Sequence, residues 1–145
     1  MTAADIPAVV GIENELFSDP WPETIFQVDV SEEFSRLWVV EIEGEIAAYA
    51  VLGLGYREGH LNNIAVTQKY QRKNIAKKLL TFILEFCTGH NFERILLEVR
   101  PSNEAAISLY RLFGFNDLAV RRRYYRDPVE DCLVMEKVLS PAGGV

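Results

Sequence analysis

The chain has 145 residues, of which 49% are hydrophobic and 25% charged, and a formal net charge of -6. These values fit one globular domain, and the acidic balance argues against general nucleic-acid binding. Cys87 and Cys132 are isolated, and only two histidines accompany them, which argues against a disulfide scaffold and a metal site. The opening residues show no secretory signal, and the longest weakly polar run, 46–56, is too short to cross a bilayer. We therefore expect a cytoplasmic protein that uses no metal, nucleic acid or membrane.

The N-terminal region predicts two helices. Apolar residues recur at helical spacing up to about Phe17. The stretch "SDPWP" (18–22) ends this helix, because proline removes a backbone donor and disfavours helix before it. A second, shorter helix is predicted from Pro22 to about Val30, since proline suits the first helical turn.

The rest of the chain predicts one mixed sheet. "LWVVEIEGEIAAYAVLGLG" indicates a hairpin of two strands around Glu43 and Gly44. The following elements alternate as strand, helix, strand, helix and two strands, over 60–66, 75–89, 94–100, 103–114, 115–120 and 132–138. This order predicts an α/β (α+β) fold with helices on both faces of the sheet. We expect one domain over 1–139 and a flexible tail over 140–145.

One short stretch concentrates positive charge in this acidic chain. Residues 66–84 contain no carboxylate but carry five cations, Lys69, Arg72, Lys73, Lys77 and Lys78. They lie where a strand leads through a loop into a helix that starts near Ile75. A helix start offers unpaired N–H groups and the positive end of the helix dipole, which bind phosphate. The pattern predicts an anion site; the alternative is a solvated basic helix face.

Two longer motifs give this stretch a family resemblance. "QRKNIA" (71–76) resembles the Q/R-x-x-G-x-G/A loop of the GNAT acetyltransferases, and "LEVRPSNEAAISLYRLFGF" (97–115) resembles the second half of that family's core. With "RRRYY" (121–125), these motifs are most similar to the ribosomal-protein-alanine N-acetyltransferases (RimI type). The resemblance covers about residues 1–138 and implies an acetyltransferase that takes acetyl-CoA as co-substrate.

The resemblance also implies a set of cofactor-binding residues along the strand, the loop and the next helix start. They are Ile64, Ala65, Val66, Gln71, Arg72, Lys73, Asn74, Ile75, Ala76, Lys77 and Asn103. Asn103 is also a good helix N-cap, and both roles can hold together. The sequence departs from the family twice. Asn74 replaces the loop glycine, although asparagine tolerates a positive φ better than most residues do. The short strand that the family has before its first helix is expected to be absent here.

Two residues are candidates for proton transfer. Glu98 lies in the strand 94–100, and by resemblance it is the general base, acting through water. Burial among apolar neighbours would tune it for that role; the alternative is a solvent-facing carboxylate or one paired with Arg94 or Arg100. Tyr110 is by resemblance the proton donor to the leaving thiolate, and the alternative is a core aromatic beside Phe113.

The acceptor is predicted on chemical grounds. An α-amine has a pKa near 7.8 and a lysine amine near 10.4, so neutralising lysine at pH 7 costs about 3.5 kcal/mol more. One modest base therefore favours the N-terminus of a protein, by resemblance an alanine-starting ribosomal protein. A small amine or a lysine, or a module that binds CoA without turnover, are the alternatives.

The peptide is expected to enter past aromatic residues. If the resemblance holds, Trp21, Tyr124 and Tyr125 bind it, whereas Phe17 is interpreted as a packing residue. The two cysteines could instead suggest an acyl-cysteine relay. That reading is disfavoured, because neither cysteine has a nearby histidine in the sequence and both lie in apolar patterns.

Overall fold

The computed structural model describes residues 1–139, so the predicted tail 140–145 lies outside the described residues. Four α-helices are present: α1 (Ile6–Leu16), α2 (Glu23–Ser31), α3 (Ile75–Gly89) and α4 (Glu104–Leu112). Single 3-10 turns precede α1 at Ala3–Asp5 and α3 at Gln68–Tyr70. The six strands are β1 (Ser35–Ile42), β2 (Glu45–Gly55), β3 (Glu58–Val66), β4 (Arg94–Val99), β5 (Asn116–Tyr125) and β6 (Glu130–Val138).

The strands form one mixed sheet, as predicted. Their order is β1-β2-β3-β4-β6-β5. Neighbouring strands are antiparallel except β3 and β4, which are parallel because α3 connects them. The β1–β2 hairpin turns at Glu43 and Gly44, both with positive φ (51° and 81°), as the sequence indicates.

Helices cover both faces of the sheet. The side chains of β2 alternate, so Tyr49 and Val51 face α1 and α2, whereas Ala48, Ala50 and Leu52 face the opposite layer. On that opposite face, α3 and α4 pack in one cluster around Leu80, Ile83 and Ile107. The two apolar layers hold the sheet between them, and the residues at its centre are fully buried.

The parallel pair β3–β4 comes apart halfway along its length. Its ladder joins Glu58–Leu61 to Arg94–Leu97 and ends there. On its other edge β3 carries a bulge, because Leu52 pairs with Leu61 while Val51 pairs with Asn63 and leaves Asn62 unmatched. The second halves of β3 and β4 are therefore separated, and a cleft opens between them.

Two features of the sheet edges bear on the predictions. No strand precedes α1 within residues 1–139, and the Met1 amino group donates to the carbonyl of Leu37 on edge strand β1 (3.0 Å). The other edge strand, β5, continues to Tyr125, so the predicted end near Val120 is wrong. Nearly every residue of β5 is exposed. The alternation of apolar and polar residues that reveals a half-buried strand is therefore missing from its second half.

Candidate active site

The cleft between the separated strands holds most of the predicted catalytic and substrate-binding residues. Its volume is about 520 Å³. One wall is β3 with Ile64, another is β4 with Glu98, and the α1–α2 loop with Trp21 forms a third. Asn103, Tyr110 and Tyr125 complete the lining. Residues that are far apart in the sequence thus face one space.

A second cavity lies at the beginning of α3. It has a volume of about 410 Å³ and lies between the loop 71–74, the first turn of α3 and one side of α4. Its lining includes seven of the predicted cofactor residues: Val66, Gln71, Arg72, Asn74, Ile75, Ala76 and Lys77. The strand β3 and the helix α4 contribute residues to both cavities. Ile64 and Ala106 line the first cavity, and Val66 and Ala105 line the second. The two cavities therefore follow one another along the split in the sheet.

The loop before α3 presents its main chain to this second cavity. Arg72 and Asn74 both adopt left-handed conformations, with φ of 65° and 62°. Asn74 therefore takes the positive φ that glycine takes most easily, and asparagine tolerates it. Within residues 1–139, no hydrogen bond occupies the amides of Ile75, Ala76 and Lys77. These N–H groups at the positive end of the α3 dipole are available to an anion.

The cations around the loop are only partly neutralised. Lys69 forms an ion pair with Glu45 at 2.8 Å, which also accepts a hydrogen bond from Tyr70. No ion pair within the described chain involves the other four cations of the stretch, Arg72, Lys73, Lys77 and Lys78. The local field at the start of α3 is therefore positive, although the chain as a whole is negative.

Three predicted cofactor residues have other roles in this geometry. The amide of Gln71 donates to the carbonyl of Val66 (2.9 Å) and so ties the loop to the end of β3. The Lys73 ammonium lies 5.4 Å from the Tyr70 ring centre and lines neither cavity. The side chain of Ala65 is buried against the α1–α2 layer, so only its backbone can face the cleft.

Glu98 stands in the cleft, but its predicted burial is wrong. Its side chain is exposed, because β3 no longer covers β4 beyond Leu97. It pairs with neither Arg94 nor Arg100. The thiol of Cys132 donates to its Oε2 atom at 3.5 Å. The pKa of the Tyr124 hydroxyl is raised, first by its hydrogen-bonding interaction with Glu98 and then by burial.

Tyr110 lies on α4 at the opposite side of the cleft. Its ring packs edge-on against Phe115 at 5.8 Å, not against Phe113. Burial raises the pKa of Tyr110 to about 12, so the phenol remains protonated at neutral pH. No protein group among residues 1–139 hydrogen-bonds its hydroxyl. Asn103 caps the same helix, because its side-chain oxygen accepts from the amide of Ala106 at 3.2 Å, and that cap is confirmed.

The aromatic residues around the opening behave differently from one another. Trp21 packs against Phe26 at 5.6 Å, and Tyr125 lies under the Arg100 guanidinium at 4.5 Å. Tyr124 lies outside the cavity lining and reaches the site only through Glu98. Phe17, interpreted as a packing residue, both packs beside the α1–α2 core and lines the cleft.

Some residues of the site could not be identified from the sequence alone. The sequence gives Cys132 no role at the site, yet its sulfur contacts Glu98. Glu13 lines the cleft from α1 although its side chain is only 2% exposed. The side of α4 that faces the second cavity was also missed; its members are Ala105, Ser108, Leu109 and Leu112. Their helical spacing of three to four residues was the signal that could have found this face.

The rim of the cleft is bridged by hydrogen bonds. The hydroxyl of Ser18 in the α1–α2 loop donates to the carbonyl of Asp127 in the β5–β6 turn at 2.6 Å. Arg100 donates to the carbonyls of Arg126 (2.6 Å) and Pro128 (2.9 Å) in the same turn. The turn is thus held against two other walls of the cleft. In the described part of the chain, no helix is long and apolar enough to span a membrane, and no cluster of potential metal ligands is present.

Comparison with known proteins assigns the family. The acetyltransferase (GNAT) family matches residues 6–115. The chain is 34% identical over 142 residues to the [ribosomal protein bS18]-alanine N-acetyltransferase of Escherichia coli K12, covering 97% of this chain and 95% of that protein. It is 33% identical to the N-alpha-acetyltransferase RimI of Mycobacterium tuberculosis, covering 94% and 89%. The crystal structure of the Escherichia coli ribosomal-protein-S18-alanine N-acetyltransferase superposes with a TM-score of 0.91, over 99% of this chain and 93% of that one.

The chain therefore belongs to the GNAT acetyltransferase family and is an acetyltransferase. The family resemblance found in the sequence is confirmed, and so is the fold.

The burial of both cysteines generates a prediction about their reactivity. Burial raises the pKa of Cys87 to about 12, and burial with the charge of Glu98 raises the pKa of Cys132. Since the thiolate is the reactive form, neither thiol should react with a disulfide reagent at pH 7.5 in the native protein, and both should react after unfolding. A Ser31→Cys variant, with a thiol at an exposed position, should react at once and serves as the control. Rapid reaction of Cys132 in the native protein would instead support an acyl-cysteine relay.

Proposed function

We propose that this acetyltransferase transfers the acetyl group of acetyl-CoA to the N-terminal α-amine of a protein, an alanine-starting ribosomal protein. One observation carries the proposal. The free amides at the start of α3 and the pair Glu98–Tyr110 lie along the same split between β3 and β4. An elongated donor can therefore bind its phosphates at one cavity and present a thioester in the other.

The second cavity fits the phosphates of acetyl-CoA. The amides of Ile75, Ala76 and Lys77 provide donors, and Arg72 provides a charge that no carboxylate within residues 1–139 neutralises. A group with two adjacent phosphates uses several such donors at once, and a carboxylate would use fewer. When bound, acetyl-CoA supplies an activated acyl group and a thiolate leaving group. The amide nitrogen of Asn103 is left to contact its pantetheine arm, since only the oxygen serves the helix cap.

Glu98 is proposed as the base that receives the amine proton. Its exposure in the cleft leaves room for the intervening water that the resemblance implies, and no cation within the described chain neutralises the carboxylate. The Cys132 thiol donates to one oxygen and the Tyr124 hydroxyl also interacts with the carboxylate, and the lone pairs that remain can accept the amine proton. The carboxylate is thus oriented from β6 and open toward the amine.

Tyr110 is proposed to stabilise the leaving sulfur. With a pKa of about 12, its phenol lies about 3.5 units above an ordinary thiol, so complete proton transfer to a thiolate would be uphill by about 5 kcal/mol. A hydrogen bond to the developing thiolate needs no such transfer. We therefore assign to Tyr110 a hydrogen bond that strengthens as negative charge forms on sulfur.

The acceptor assignment rests on the shape of the rim and on the relatives. The Ser18–Asp127 hydrogen bond joins the α1–α2 loop to the β5–β6 turn at the rim, and an opening bounded in this way suits an extended chain end. The Escherichia coli relative, at 34% identity, is named for the alanine of ribosomal protein bS18. The lower pKa of an α-amine makes it easier for a single carboxylate to handle than lysine.

The catalytic roles predict a separation of turnover from binding. Glu98→Gln should reduce kcat by about 100-fold or more, and Tyr110→Phe by at least about tenfold, because each removes one proton-transfer or charge-stabilising group. The dissociation constant of CoA, measured by calorimetry, should stay within about twofold in both variants. Tyr56→Phe, at a 91% exposed position, is the control. CoA binding without thioester consumption, unchanged in both site variants, would support a module that binds CoA without turnover.

The conformation of Asn74 predicts an effect on CoA affinity. Glycine adopts a positive φ without the steric cost that asparagine bears, so Asn74→Gly should lower the dissociation constant of CoA a few-fold. Asn91 has nearly the same φ, 60°, at the other end of α3, and Asn91→Gly should leave the affinity unchanged. Weaker binding by Asn74→Gly would mean that the asparagine side chain itself contacts the ligand.

The acceptor class predicts a peptide preference. A peptide beginning Ala-Arg should be acetylated at its α-amine, because its pKa allows a neutral fraction at pH 7.5. The same peptide with a blocked N-terminus and an internal lysine should react at least about 100-fold more slowly. Mass spectrometry of the products locates the acetyl group. Faster reaction of the blocked peptide would contradict the proposed acceptor.

A further inference from the structure

Glu13 is an anomaly in the interior of the protein. Its side chain is 2% exposed, and it is the one polar or charged residue among 1–139 that is buried. Burying a carboxylate is costly unless other groups compensate it. No cation within residues 1–139 forms an ion pair with it. A residue of this kind in helix α1 needs an explanation beyond helix formation.

Hydrogen bonds from three separate elements compensate the carboxylate. The Tyr49 hydroxyl on β2 and the Asn63 amide on β3 (2.8 Å) donate to Oε2, and the backbone N–H of Trp21 donates to Oε1 (3.0 Å). All three partners are donors, which is what an ionised carboxylate, an acceptor only, requires. Burial and the neighbouring carboxylate raise the pKa of Tyr49, so its hydroxyl remains a donor throughout the working pH range.

The partners of Glu13 belong to two walls of the cleft. Trp21 is in the α1–α2 loop, and its ring packs against Phe26. Asn63 follows the unmatched residue Asn62 in the β3 bulge, at the point where β3 leaves β4. Both residues line the cleft. The second cavity, at the beginning of α3, has no residue in common with this cluster.

We propose that Glu13 is the positioning residue of the acceptor side of the cleft. One carboxylate joins the main chain at Trp21 to the side chain of Asn63, and this link sets the separation between the α1–α2 loop and the β3 bulge. The acceptor enters through that gap, so loss of the link should weaken acceptor binding while the donor site stays intact. The proposed function supplies only the kind of acceptor; the link itself is independent of it.

A purely structural role would give a different result. If Glu13 only stabilised the core, removing its charge would lower the stability and would affect donor and acceptor kinetics alike. A positioning role separates the two substrates, because the cluster touches one cavity and not the other. The discriminating quantity is the KM for the acceptor peptide compared with the KM for acetyl-CoA.

The test uses Glu13→Gln, which keeps the size of the side chain and removes its charge. The KM for an Ala-Arg peptide should rise about tenfold, the loss expected for hydrogen bonds to a charged group, while the KM for acetyl-CoA changes less than about twofold. Glu23→Gln makes the same chemical change at an exposed position, where the side chain accepts a hydrogen bond from Gln27, and it should change neither KM. Tyr49→Phe removes one of the three donors, keeps the ring, and should raise the acceptor KM by a smaller factor.

A second readout needs no turnover. The chain has two tryptophans, so Trp38→Phe leaves Trp21 as its single indole. In that background Glu13→Gln should shift the emission of Trp21 to longer wavelength and increase its quenching by acrylamide, because the loop is released toward water. If no peptide is acetylated at all, the proposed function fails, and the fluorescence still decides the role of Glu13.

Three outcomes would overturn the proposal: an unchanged acceptor KM with unchanged Trp21 emission, equal changes in both KM values, or a rise confined to acetyl-CoA. If Glu13→Gln does not fold, Tyr49→Phe carries the test. An unchanged acceptor KM in that variant would overturn the proposal as well.

Discussion

The early end of the β3–β4 ladder is the constraint on which the site depends. Parallel strands normally satisfy each other's backbone groups along their length, but here pairing stops at Leu61 and Leu97. Beyond that point β3 and β4 do not pair with each other within residues 1–139, and Glu98 and Val99 of β4 line the gap. The bulge at Asn62 bends β3 in the same place. Both cavities and Glu98 owe their positions to this separation.

Charge is distributed along the separation in a way that suits two different substrates. At the start of α3, main-chain N–H groups and unpaired cations favour the phosphates of a donor. In the proposed acceptor cleft the lining carboxylates Glu13, Asp19 and Glu98 outnumber the cation Arg100, which pairs with Glu130, and this balance favours an amine. Glu13 and Glu98 differ in their surroundings. One is buried and fully hydrogen-bonded, and the other is exposed. The difference in burial matches the difference in proposed role, since positioning needs rigidity and proton transfer needs access.

Much of the fold could be predicted from the sequence, because the deciding signals are local. The cap at Asn103, the turn at Glu43–Gly44 and the left-handed conformation of Asn74 each depend on a few neighbouring residues. The loop before α3 could be predicted as a candidate anion site for the same reason, as its amides belong to one loop and one helix start. These local signals also carried the family resemblance.

The features that the sequence did not predict lie where segments that are distant in the sequence meet. The exposure of Glu98 depends on β3 leaving β4, which no pattern within 94–100 can show. Glu13 stands beside the polar residues Asn14 and Glu15 in α1 and reads as solvent-facing, and only the fold brings Tyr49 and Asn63 to it. The contact of Cys132 with Glu98 likewise spans two strands.

The exposed edge strand β5 has a consequence for the behaviour of the protein in concentrated solution. Within residues 1–139, β5 pairs only with β6, and a strand with one open edge that exposes Leu118 and Val120 is a template for β-addition by another molecule. Three consecutive arginines, 121–123, follow these residues, and the register of the strand is irregular between Arg121 and Tyr125. Stacking two such edges would bring like charges together on a bent backbone. Repulsion and irregular geometry therefore protect this edge from aggregation.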